Sequence, residues 1–181
     1  MRNYWRALDQ VEEWAQGSNP LSEAWIQELH AVVIVRGRGR RRQRTPFRVE
    51  EVPVVDTVSR RIEFAPPTPA DVGLLMQQLC QWWQASERLP PLIRAGLLSH
   101  RFISIHPFPD GNGRCGRLLA TASLWRSGYA FRGFLSFEEW FAADREAYYG
   151  SLQLGCPVDF YEGRHDPDPV SYTHLTLPTK R

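Results

Sequence analysis

The chain has 181 residues, 43% hydrophobic and 23% charged, with a formal net charge of +2. That suffices for one domain with a proper core, and the charge is too balanced to announce a nucleic-acid or acidic partner. Three cysteines without paired or metal-ligand spacing point to a reducing cytoplasm, and neither a secretory leader nor a membrane-length apolar run is visible.

Two helical patterns open the chain. Tyr4, Trp5, Leu8, Val11 and Trp14 fall on one face of the first. Ser18-Asn19-Pro20-Leu21-Ser22-Glu23 is a cap region for the second, which runs through Trp25, Ile26, Leu29 and Val33, with His30 read as structural. Arg36 to Arg44 then holds six arginines in nine residues. Without interleaved aromatics, the run reads as a solvated loop rather than a nucleic-acid patch. Phe47 to Val55 and Arg60 to Ala65 cluster β-formers around the polar bend Asp56-Thr57-Val58-Ser59, which predicts a hairpin.

Pro66-Pro67-Thr68-Pro69 is a rigid spacer into a helix carrying Val72, Leu75, Met76, Leu79, Trp82 and Trp83 on one side, a core stripe. Pro90-Pro91 starts another helix, through Leu92, Ile93, Leu97, Leu98 and Phe102, that delivers the chain to Ile105-His106, with His100 as a packing residue. Leu118 to Trp125 resumes helical spacing and stops at Gly128. Ser136-Phe137-Glu138-Glu139 reads as a capping box for a helix through Trp140, Phe141, Tyr148 and Tyr149. The expected fold is mainly α, a helical bundle with one small hairpin.

The chemistry concentrates between two of these helices, in His106-Pro107-Phe108-Pro109-Asp110-Gly111-Asn112-Gly113-Arg114-Cys115-Gly116-Arg117. Gly111-Asn112-Gly113 falls at a helix N-terminus, where unpaired N–H groups and the dipole attract anions and glycine lets a phosphate approach. Arg114 and Arg117 are three apart, so both could grip adjacent phosphates. Asp110 is a hard oxygen ligand suited to Mg²⁺, and His106, with an ordinary pKa of about 6.5, suits removal of a proton from a hydroxyl. Phe108 reads as a core anchor for the loop and Cys115 as filler. Singly, each has an ordinary reading as a structural histidine, a turn or a solvated arginine; together they supply what transfer from a nucleoside triphosphate requires.

The run resembles the signature of the Fic (filamentation induced by cAMP) family, His-Pro-Phe-x-[Asp/Glu]-Gly-Asn-Gly-Arg-x-x-Arg, at every fixed position. The resemblance implies a Fic-type helical bundle and transfer of AMP from ATP, with Mg²⁺, to a Ser, Thr or Tyr hydroxyl of a target protein. His106 would be the base and Asp110 the metal ligand. Gly111, Asn112, Gly113 and Arg114 would cradle the phosphates, and Arg117 would orient the terminal one. The hairpin resembles the family's flap, whose strand edge would register a target segment beside His106. Two alternatives stay open: removal of AMP, or transfer of another phosphate-containing group, by the same site, and a non-catalytic Fic-fold binding domain.

Two departures from the family pattern carry expectations of their own. Residues 170–181, Val170 to Arg181, resemble a translated sequencing adapter, and the chain's one lysine, Lys180, lies there. The Fic domain is therefore taken as 1–169, a C-terminally truncated fragment lacking the family's last helix, and without the tail the net charge is zero. The family's inhibitory pattern, [Ser/Thr]-x-x-x-Glu-[Gly/Asn], is matched in part by Ser59 to Glu63, but on an expected strand and followed by Phe64. Inhibition is expected instead from a helix upstream of Met1 or from an antitoxin partner in trans.

Overall fold

The computed structural model describes residues 2–34, 44–56, 59–129, 143–153 and 157–162. Most of the arginine run, the first part of the helix expected from Ser136 and the tail lie outside these residues, while Tyr148 and Tyr149 of that helix lie within them. Within them the chain folds as α1 (Arg2–Gln16), α2 (Glu23–Ile34), β1 (Val54–Val55), β2 (Ile62–Phe64), α3 (Pro69–Ala85), α4 (Pro91–Ile105), α5 (Asn112–Arg126) and α6 (Arg145–Gln153). The mostly helical class with one antiparallel strand pair is as the sequence predicts. No helix among the described residues is long and apolar enough to cross a membrane.

The middle of the bundle is α5, flanked chiefly by α4 and α1. Cys115, Leu118, Leu119, Ala122 and Leu124 are buried, and so are the small polar Thr121 and Ser123. A helix enclosed on this many sides has little need of an amphipathic pattern. Close approach to α4 requires Gly116, where an added Cβ would stand 2.8 Å from Ile103 Cγ1.

Proline at the first position starts both α3 and α4, where its missing N–H costs nothing. The expected faces hold with two corrections. On α1, Trp5 is 66% exposed and Ala7 is buried instead, because Trp5 lies about 100° round the helix from Tyr4 while Ala7, Leu8 and Val11 stay on its side. On α4, Leu92 and Ile93 are exposed in the first turn, where the contact with α3 is made by Arg94 over the Trp83 ring; the buried face is Ala95, Leu98, Phe102 and Ile105.

The hairpin is shorter than expected. Val54 pairs with Phe64 and Val55 with Ile62 across an irregularity in register. Residues 47–53 form no ladder because they are engaged elsewhere: the Arg48 N–H donates to the Pro107 carbonyl at 2.9 Å, and the Phe47 ring packs 5.6 Å from Phe108. Glu63 sits on β2, consistent with its rejection as an inhibitory-helix residue. A short segment after α6 docks against the far end of the hairpin: the Ala65 N–H donates to Val158, the Phe160 N–H returns to Ala65, and Phe160 is buried.

Candidate active site

At the junction of α4 and α5 the backbone turns through two left-handed residues. His106 closes α4 with φ 50° and ψ 54°, and Gly111 precedes α5 with φ 83°. Glycine tolerates that region freely; histidine does not, so its surroundings must hold it there. At Gly111 a side chain would also press on His30 Nε2 and Ile34 Cγ2, each 3.1 Å from an added Cβ.

The loop is pinned from inside and outside. Phe108 is fully buried, its ring stacked 3.7 Å from that of His30. Asn112, 2% exposed, accepts the Phe108 N–H through Oδ1 at 3.0 Å and donates from Nδ2 to the Phe108 carbonyl at 2.6 Å. The Asn112 side chain is therefore spent on loop shape, and what it can offer an anion is its backbone N–H. His30 Nε2 donates to the Asp110 carbonyl at 2.7 Å, since a carbonyl can only accept. At the other end, Arg48 Nε donates to the His106 carbonyl at 2.8 Å.

These contacts leave the polar groups of the motif close together beside the start of α5. Asp110 has an exposed carboxylate, with Oδ1 receiving the Gly111 N–H at 2.6 Å and Oδ2 held 3.1 Å from Arg114 Nη2. No side-chain hydrogen bond from Gly111 caps α5 and its first turn carries no acid, so the positive end of its dipole is offset only by the adjoining Asp110 carboxylate among the described residues. Arg117 lies over that turn: an added Cβ on Gly113 would stand 3.3 Å from its Nη1. The same Nη1 is 3.5 Å from the Tyr148 hydroxyl, which brings α6 to the site.

Burial pushes the His106 imidazole down to about 4, with the Arg48 charge adding to the effect and the Ile103 carbonyl and Asp110 opposing it. His106 is thus neutral at pH 7. Its Nδ1 is buried without a hydrogen-bond partner among the described residues. His30 is lowered too, mainly by burial, in keeping with its role as a neutral donor.

Every residue singled out in the motif lies in this one region, from the end of α4 through the first turns of α5. Arg48 was missed, hidden inside a stretch that reads as strand, and so was Gly116, which occupies a variable position of the motif. His30 reads correctly as structural, but its partner, the Asp110 carbonyl eighty residues away, has no signal in the sequence.

One helix–loop–helix thus brings a neutral histidine and two arginines to a helix N-terminus without a side-chain cap, an arrangement able to attract an anion and accept a proton. Residues 20–124 match the model of the Fic/DOC family, and the chain belongs to that family. Over 66 residues it is 46% identical to the proteins named protein adenylyltransferase Fic of Drosophila melanogaster and Drosophila sechellia; the match covers 35% of this chain and 13% of each of theirs. In overall structure it resembles a Fic domain containing signaling protein from Bacteroides thetaiotaomicron, with a TM-score of 0.71 and 28% identity over 84% of this chain and 55% of that one. It also resembles a Fic family protein from Desulfovibrio desulfuricans, with a TM-score of 0.68 and 25% identity over 88% of this chain and 47% of that one.

Proposed function

We propose that the chain is a protein adenylyltransferase that moves AMP from ATP to a Ser, Thr or Tyr hydroxyl of a target protein. The observation that carries this reading is the pairing of a neutral, half-buried His106 with the uncapped N-terminus of α5 and its arginines. A base without the anion cradle would serve many reactions, and a cradle without the base would only bind.

His106 Nε2 takes the proton of the target hydroxyl. The oxygen attacks the α-phosphorus of ATP, the bond to the β-phosphate oxygen breaks, and pyrophosphate departs. Gly111, Asn112, Gly113 and Arg114 present N–H groups and charge to the phosphates, while Arg117 holds the terminal one. Positioning and fixed charge supply most of the rate, as in other phosphate transfers.

The site fits Mg²⁺ of the kind that binds through one carboxylate, phosphates and water. Asp110 presents an exposed carboxylate, and no group of three or more potential ligands clusters among the described residues. When bound, the metal would offset phosphate charge and favour departure of pyrophosphate; Asp110 would hold it, and Arg114 would be freed from Asp110 to meet a phosphate.

The target would lie along the hairpin, where Val55 and Ile62 are exposed, its backbone registered by the strand edge. A regulatory helix upstream, or an antitoxin in trans, would act by placing a carboxylate on Arg117. A reducing cytoplasm suits the two described cysteines, which are free and buried, with Cys80 pushed up to about 12 by burial. The test is to incubate the chain with Mg²⁺ and ATP labelled on either the α- or the γ-phosphate. Protein should gain label from the α-phosphate alone; label from the γ-phosphate would make it a kinase and overturn the reading.

A further inference from the structure

Arg48 is a buried cation, 4% exposed, whose charge is favoured through space by Glu51 three residues on. Its guanidinium makes no salt bridge among the described residues. Instead it is spent on three backbone carbonyls: Nε donates to His106 at 2.8 Å, Nη1 to Glu50 at 3.1 Å, and Nη2 to Pro67. Its own N–H donates to Pro107 at 2.9 Å. Burying a charge is costly, and carbonyl dipoles offset that cost only when several converge in good geometry.

The three carbonyls come from three functionally distinct places. Glu50 lies on the entry to the hairpin, Pro67 on the exit from it, and His106 carries the base. Two features make the His106 contact matter. His106 holds a left-handed backbone, a conformation a non-glycine residue adopts only when its surroundings hold it there. Its carbonyl also lies at the C-terminus of α4, where a cation is favoured by the helix dipole. A guanidinium there both satisfies the carbonyl and locks its direction, and the direction of that peptide fixes where the imidazole points.

We propose that Arg48 is a positioning residue for the transfer reaction. Through the His106 carbonyl it fixes the backbone that aims the imidazole, and through Glu50 and Pro67 it keys that aim to the hairpin that receives the target. This rests on the adenylyl-transfer reading for its catalytic consequence, but the clamp itself is a property of the fold.

Two other arginines provide a control. Arg126 also grips backbone carbonyls, those of Trp14, Gly17 and Asn19, and lies 3.5 Å over the Trp14 ring, at the end of α5 remote from the loop. Arg94 does the same at Trp83. If Arg48 served stability alone, losing it would look like losing Arg126.

The experiment compares Arg48→Met, Arg48→Lys and Arg126→Met with the parent chain in three measurements: kcat and KM for ATP, the urea midpoint, and residue-resolved hydrogen exchange without nucleotide. Arg48→Met should lower kcat about 100-fold, the loss expected of a misaligned reacting group, with KM for ATP within about twofold. The His106 and Phe108 amides should exchange at least about tenfold faster. Arg48→Lys, which keeps the charge and one donor direction, should fall between, and it carries the test if Arg48→Met does not fold. Arg126→Met should lower the urea midpoint while leaving kcat and the loop amides unchanged. Unchanged kcat and loop exchange in the folded Arg48 variants would overturn the proposal, as would a matching loss of kcat in Arg126→Met. If the parent chain transfers nothing, the adenylyl-transfer reading fails on its own and loop exchange alone decides: faster in the Arg48 variants than in Arg126→Met supports the clamp, and equal rates overturn it.

Discussion

His106 is shaped by two opposing demands. A general base must be neutral before it acts, and burial secures that by pushing the imidazole down to about 4. In the proposed role it must also reach a hydroxyl, and its left-handed backbone ends α4 at this residue. The pH dependence follows from the sign of the shift. A lowered pKa keeps the neutral base populated as pH falls, so the acid limb of the transfer rate should lie below the ordinary histidine value of about 6.5. A pH–rate profile measured at saturating ATP checks this. A limb at or above that value would mean that His106 is solvated in the working enzyme, or that another group limits the rate. The other motif residues divide in a way their identities alone do not show: Gly111 and Asn112 shape the loop, while Asp110, Arg114 and Arg117 face outward from it.

Among elements, the pairing of α4 with α5 decides whether the site exists, because the loop is only the connection between them. Gly116 lets the two helices close, and it stands one residue before Arg117. Gly116→Ala would drive a methyl toward Ile103, where an added Cβ is already 2.8 Å from Cγ1. An overpacked contact of this kind costs about 1–3 kcal/mol, and urea denaturation should show a loss of that size. A neutral or stabilising effect, as expected where alanine merely improves helix propensity, would mean the contact relaxes without cost. Helices were readable here because apolar spacing, proline starts and the Gly128 stop agree with one another. The hairpin was readable only in outline. β-Propensity marks residues that suit a strand, but it cannot show that Phe47 and Arg48 are drawn to the loop at 106–108 instead. The same limit explains Trp5 and Leu92, whose hydrophobicity predicts burial while their angular position or place in the first turn decides against it.

For the whole molecule, the described helices form one core around α5, and the site is assembled from both halves of the chain: His30 and Arg48 from the first, the motif and Tyr148 from the second. Motif chemistry was legible because its residues are contiguous. The supporting contacts were not, since each joins residues far apart in sequence, and a single sequence carries no record of such pairs. The family is established by the match over residues 20–124, whereas the reaction rests on the geometry of this site and on a shared segment that is a small part of the adenylyltransferases it resembles. The measurement that bears most directly on that reaction is a comparison of the chain with its His106→Ala variant. ATP affinity is determined by calorimetry, and AMP transfer to protein is followed with α-labelled ATP and Mg²⁺. Transfer should be abolished while ATP affinity stays within about twofold, because the base is needed for attack and not for binding. Retained transfer, or loss of ATP binding together with it, would contradict the assignment of His106 as the general base.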